Sequence, residues 1–356
     1  MATLMKQSQI GPTAQSAERL AFVAYNSLGD SLLHIMIAEN LQRNGYPVTL
    51  FGDVAYHLRD WLPQLEIFPY PAEAEMEAVL DRYPFVIMVP PSFFRKYLHG
   101  ELLERLRQKW LLICQKAPKE WHVDVSKQNA VPIELCWQRF ARLSRASASI
   151  RYRKFETESV VEITLDYLRE QMGLSNVSSQ VALRPPEGLQ HRKFRHRIVV
   201  SPDSAWPEKK DWTPRRFMKL CRLLVARGYE PIIVVAPKNH QTWRGINSGR
   251  YLMPQFATIT ELAAFIYESG AVIANDSGNG HLASFLDVPV VTIYRKRNPM
   301  FHWRPAWRNG VVVCPKLVLP WVNGPVWRPF ISPQSVVSAL QSLLQDELPI
   351  VPRSRR

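Results

Sequence analysis

The sequence predicts an α/β protein of two doubly wound, Rossmann-like domains facing a central cleft. Three observations carry the prediction. Two separate series of short apolar strands alternate with helical segments. A basic stretch containing Pro185, Pro186 and Gly188 separates the two series. The length of 356 residues gives each half a core of ordinary size.

Residues 1–18 read as a polar tail. Leu20–Tyr25 is an apolar run suited to a buried strand, and the loop Asn26–Asp30 leads into a helix over Ser31–Arg43. There Leu32, Leu33, Ile35, Met36, Ile37 and Leu41 suit a mostly buried helix; Gly45 stops it, and Pro47–Phe51 gives the next strand. Strand, helix and strand in close succession form the unit of a parallel sheet. The series continues with helix Glu73–Tyr83, strand Phe85–Val89, helix Glu101–Lys109, strand Trp110–Cys114 and helix Ser159–Gly173.

Leu174–Arg197, ending in the basic run His191–Arg197, reads as the interdomain connection. A second series follows: strand Ile198–Ser201, helix Pro214–Arg227, strand Pro231–Ala236, helix Ile259–Ser269, strand Ala271–Ala274, helix Gly280–Leu286 and strand Val288–Tyr294. Pro333–Leu344 is the last helix. The predicted division is a tail (1–18), an N-terminal α/β domain (19–180), a linker (181–197), a C-terminal α/β domain (198–332) and a final helix with a basic tail (333–356).

Hydrophobic residues at 46% and charged residues at 21% fit a soluble globular chain and argue against wholesale disorder. The formal net charge of +14 favours acidic partners: nucleic acid, an anionic membrane surface or phosphorylated small molecules. The basic residues are dispersed and carry no RNA-recognition or helix-turn-helix signature, so no nucleic-acid partner is expected. The N-terminus lacks a signal-peptide apolar core and no later stretch has the apolar length of a membrane span, so a cytoplasmic monomer is expected. Cys114, Cys136, Cys221 and Cys314 are scattered, as reduced thiols would be.

The strongest local signal is Ala271–Tyr294, where a strand ends and Asn275–Gly280 turns into a helix. Gly278 and Gly280 permit close backbone approach, and a helix N-terminus offers unpaired N–H groups and partial positive charge to a phosphate. Ser277 adds a hydroxyl, and His281 on the first turn has a ring within reach of the same anion. The plainer reading makes Asp276 and Ser277 ordinary N-caps and His281 a satisfied surface histidine. The residues alone leave the two readings level.

The run Asn275-Asp-Ser-Gly-Asn-Gly-His281-Leu-Ala-Ser-Phe-Leu-Asp-Val-Pro289 resembles the donor signature of glycosyltransferase family 9, the ADP-heptose lipopolysaccharide heptosyltransferases. Three further segments resemble the family in the same order: Ser27-Leu-Gly29-Asp30, the stretch from Ser201 through Lys210 to Trp212, and Thr260-Glu-Leu-Ala-Ala-Phe-Ile. The resemblance is strong over about residues 195–305 and patchy over 20–180. It implies the two-domain GT-B fold, an N-terminal acceptor domain and a C-terminal nucleotide-sugar domain. It implies inverting, metal-independent transfer with no cofactor, Asp30 as general base and Lys210 on the leaving diphosphate. Ser201, Lys209, Asp276, Ser277, Gly278, Asn279, Gly280 and His281 then fall to the donor, and Ser27, Gly29, Arg95 and Lys96 to the acceptor.

The partners so implied are a nucleotide sugar and an anionic glycolipid, met in peripheral contact with the inner face of a bacterial inner membrane. Alternatives are a different donor, a protein acceptor, or a donor-binding scaffold without transfer. For Asp30 the plainer role is a helix N-cap, and for Lys209 and Lys210 a solvated basic turn. Trp303, Trp307, Trp321 and Trp327 read as core packing, with sugar stacking the sharper option. Three departures from the family concern the site: Tyr294–Pro299 replaces a Phe-Gly-Pro-Thr type loop, the strand Phe85–Val89 and its exit Pro90–Lys96 lack the acidic-polar pattern that would mark the acceptor, and Ala236–Gln241 has no acid for the donor's ribose.

Overall fold

Two parallel five-stranded sheets organise the chain, seen in a computed structural model whose described residues are 18–91, 98–106, 109–114, 117–121, 135–150, 158–295, 302–308, 310–315 and 325–345. The first half contains β1 (Leu20–Val23), α1 (Leu28–Arg43), β2 (Val48–Phe51), α2 (Asp53–His57), β3 (Glu66–Phe68), α3 (Met76–Leu80), β4 (Phe85–Met88), α4 (Gly100–Leu106), β5 (Trp110–Leu112), α5 (Leu135–Ser144) and α6 (Val160–Glu170). The second contains β6 (Phe194–Ser201), α7 (Pro207–Lys210), α8 (Pro214–Val225), β7 (Glu230–Ile233), α9 (His240–Asn247), α10 (Ile259–Tyr267), β8 (Ser269–Asn275), α11 (Gly278–Phe285), β9 (Val290–Ile293), β10 (Gly310–Val313) and α12 (Pro333–Gln345).

The strand orders are β3-β2-β1-β4-β5 and β10-β9-β8-β6-β7. Leu20 pairs with both Val48 and Phe85, and Val200 with both Ile233 and Ile273, so β1 and β6 are the central strands. The order reverses between β1 and β4 and again between β6 and β8. Open parallel sheets place ligands outside the strand C-termini at such reversals.

The elements follow from local chemistry. β1, β2 and β4 are buried throughout, as continuous apolar strands covered on both faces must be. α6 opens with a complete capping box: the Ser159 hydroxyl accepts the Glu162 amide and the Glu162 carboxylate accepts the Ser159 amide. α1 is buried from Ser31 through Leu41. Its Leu32, Ile35 and Met36 share one apolar core with Leu282, Ala283 and Phe285 of α11, so the core runs on from one half into the other.

Several boundaries differ from the expectation. α1 begins at Leu28, three residues early, because Ser27 is extended (φ −96, ψ 147) and its hydroxyl accepts the Asp30 amide at 3.4 Å. Gly29 is therefore helical, not a loop residue. α11 likewise begins at Gly278, two residues early. β6 begins at Phe194, so the end of the basic run is strand, its exposed side chains lying beyond the buried part of the sheet. The short strands β3 and β10 and the helix α9, in which Trp243 and Asn247 alone are buried, lie outside the expected elements.

α1 also anchors the chain on its way to the second half. The Glu39 carboxylate, 5% exposed, accepts the Ala182 amide at 2.9 Å, Gln64 Nε2 at 3.0 Å and Arg43 Nη2 at 2.8 Å. Asn40 Nδ2 donates to the Ser178 carbonyl and Asn40 Oδ1 accepts the Ser178 amide, both at 2.8 Å. The Glu39→Ala protein leaves the Ala182 amide unpaired and takes one acceptor each from Gln64 and Arg43, and is expected to lose about 2 kcal/mol of stability, seen as a lower urea midpoint at unchanged slope.

Candidate active site

The first half delivers Asp30. After β1 the chain turns through Asn26, Ser27 caps α1, and Asp30 stands in the first turn, where a carboxylate is favoured by the helix dipole. Burial pushes the Asp30 carboxyl above the usual carboxylate range. The Ser27 hydroxyl, donating to Asp30 Oδ2, and a backbone hydrogen bond pull it part of the way back.

The second half delivers a cation and a second helix N-terminus. Lys210 closes the short helix α7, and its Nζ lies 2.7 Å from Asp276 Oδ2, in the turn between β8 and α11. Ser277 is extended (φ −147, ψ 165) but makes no side-chain cap; its hydroxyl is buried without a hydrogen-bond partner among the described residues. The plain capping role is thus not what Ser277 performs. The first-turn amides of α11 have no partner within the helix.

His281 is neither a surface residue nor a cation. It is buried, with Trp303 and Trp307 edge-on at ring distances of 6.1 and 5.9 Å. Burial holds its imidazole down to about 4, so it is neutral at physiological pH in the ligand-free protein.

These groups share one cleft of about 950 Å³ between the halves. Ser27, Gly29, Asp30, Lys210 and the loop Asp276–Asn279 line it, together with His281. Three expected donor residues do not. Ser201 is fully buried and its Oγ accepts from Asn279 Nδ2 at 2.9 Å, bracing α11 from below. Lys209 is exposed, with its ammonium 5.6 Å from the Trp206 ring. Gly280 packs instead against Thr292 of β9. Arg95 and Lys96 lie outside the described residues, as do Trp321 and the loop beyond Arg295. Trp303 lines the cleft, half-buried, whereas Trp307 and Trp327 are core.

The cleft also holds residues outside the expected site. Asp203, 7% exposed, accepts the Ala236 amide at 2.7 Å and Asn239 Nδ2 at 2.8 Å, joining the loop after β6 to the loop after β7. Glu261 enters from the first turn of α10, and His57 from α2. Acids therefore reach the end of the cleft near Ala236–Gln241 from neighbouring segments. Both acids stand inside the quoted resemblance segments, in Ser201-Pro-Asp and Thr260-Glu, and that was their only signal. Among the described residues no group of three or more His, Cys, Asp or Glu is placed to hold a metal ion, and no helix is long and apolar enough to cross a membrane.

Comparison with known proteins agrees with this geometry. The chain is 26% identical over 169 residues to lipopolysaccharide heptosyltransferase 3 of Escherichia coli, covering 43% of this chain and 49% of that protein, so it spans about half the length of that curated relative. Among solved structures, a glycosyl transferase family 9 protein from Veillonella parvula superposes with TM-score 0.58 at 18% identity, covering 93% of this chain and 99% of that one. E. coli ADP-heptose lps heptosyltransferase II gives 0.58 at 18% (92% and 99%), and E. coli heptosyltransferase WaaC with ADP gives 0.59 at 14% (91% and 99%). These likenesses establish the fold as GT-B, two Rossmann-like domains about a cleft. Residues 125–317, more than half of the chain, match the sequence model of glycosyltransferase family 9 (heptosyltransferase), and the chain belongs to that family.

Proposed function

We propose that the protein is an inverting glycosyltransferase that moves heptose from ADP-heptose onto an anionic acceptor of the lipopolysaccharide-core type. The observation that carries this reading is the meeting, in one cleft, of a half-buried carboxylate on one domain with a lysine and an open helix N-terminus on the other. The names of the relatives support the donor and acceptor class. The net charge of +14 suits both substrates, and suits peripheral contact with an anionic membrane from the cytoplasmic side.

In the proposed reaction the acceptor hydroxyl attacks the anomeric carbon of the donor sugar and gives its proton to Asp30. The bond from that carbon to the diphosphate oxygen breaks, and ADP leaves carrying the electron pair. Lys210, the α11 amides and the Ser277 hydroxyl stabilise the growing charge on the diphosphate. The raised carboxyl of Asp30 suits proton acceptance, since a base nearer neutrality takes a proton more readily.

Asp30→Asn is expected to lower kcat by about 100- to 10,000-fold while retaining donor binding, measured by ADP release and by titration with ADP-heptose. Near-normal turnover would remove the base assignment. The Ser27 hydrogen bond lowers the Asp30 pKa, so Ser27→Ala is expected to raise it and move the acid limb of the kcat/KM profile to higher pH. In a thermal-shift panel, ADP-heptose is expected to raise the unfolding midpoint above UDP- and GDP-sugars. A larger shift with either of those would reassign the donor.

A further inference from the structure

The first turns of α1 and α11 belong to different domains, yet they touch. A Cβ added to Gly278, the first residue of α11, would stand 2.9 Å from Leu28 Cβ, 3.0 Å from Leu28 Cδ2 and 3.1 Å from Leu28 Cγ. Leu28 is the first residue of α1, two positions before Asp30. A Cβ on Gly29 would meet the ring of His281 at 3.4 Å. Neither glycine has a φ in the left-handed region, so backbone conformation does not call for glycine at either place.

We infer that Gly278 and Leu28 are positioning residues: their contact sets the distance between Asp30 and the diphosphate site, and glycine is required at 278 to admit Leu28 rather than to admit a phosphate. The contact is well suited to that task. The Leu28 Cβ is fixed to the α1 backbone, so a side chain at 278 cannot be accommodated by a rotamer change and must part the two helices. Each helix carries its functional group within a turn of the contact, Asp30 on α1 and Ser277 on α11. A small displacement there is transmitted directly to the spacing of base and leaving group, where about 1 Å is enough to cost about 100-fold in rate.

This inference rests on the transfer reaction proposed above, and its test separates the two. Gly278→Ala is expected to lower kcat by about 10- to 100-fold. Its dissociation constant for ADP-heptose should stay within about threefold of wild type, because the diphosphate contacts within the second domain are kept. Leu28→Ala keeps the offending Cβ and should rescue little. Leu28→Gly removes it, and the Leu28→Gly/Gly278→Ala double variant is expected to recover kcat to near that of Leu28→Gly alone. The unfolding midpoints of the same four proteins should show the same non-additivity, without reference to turnover.

A Gly278→Ala defect that falls on donor affinity with kcat unchanged would overturn the inference, because glycine would then serve the phosphate. Failure of Leu28→Gly to restore kcat would also overturn it. If wild type transfers no sugar from any donor in the panel, the functional reading fails on its own. The midpoints then decide the contact: coupled values uphold it and additive values reject it.

Discussion

The close approach of two helix N-termini, α1 from one domain and α11 from the other, is the constraint to which the rest of the cleft is referred. Each N-terminus ends a strand-to-helix turn at a reversal of strand order, so the two sheets present equivalent points to each other. The helix dipoles meet positive end to positive end, an arrangement that favours anions between them. Asp30 supplies one at α1 and Asp276 another near α11. Apolar packing between the same helices, continuous with the core of the first domain, opposes their separation.

The electrostatics of the cleft follow from that frame. The Lys210 ammonium is held by Asp276 in an ion pair that is partly open to solvent, with side-chain exposures of 30% and 19%. Such a pair adds little to stability. Its consequence is positional, since it keeps a cation beside the open turn of α11. His281 stays neutral and packs against tryptophans, so the positive field of the cleft comes from Lys210, Lys238 and the helix dipoles. Ser277, whose buried hydroxyl has no partner among the described residues, calls for an external hydrogen bond, as does the buried Nδ1 of His281.

Much of the fold was legible because a buried parallel strand is a short apolar run and a capped helix announces its ends. Leu20–Val23, Val48–Phe51 and Ser269–Asn275 carry that signature plainly. The start of α1 was not legible: Gly29 is a poor helix former, and only the geometry at Ser27 shows that capping and contact with the other domain override propensity. Asp30, Lys210 and the α11 turn could be found because each sits at a strand–helix junction within a motif. Asp203 and Glu261 also fall inside motif segments, but their place in the cleft comes from the packing of segments far apart in sequence, which no local pattern encodes. The neutrality of His281 is likewise a property of the folded site, set mainly by burial, with Asp276 opposing it and Lys210 adding to it.

Hydrogen exchange of the wild-type protein with and without ADP-heptose tests the central claim most directly, because first-turn amides lack intrahelical partners and exchange quickly unless a ligand covers them. A ligand held where the two N-termini meet should slow exchange in both the Ser27–Ser31 and the Ser277–His281 segments at the same donor concentration. Protection confined to one of these segments, or found only elsewhere, would contradict a shared site.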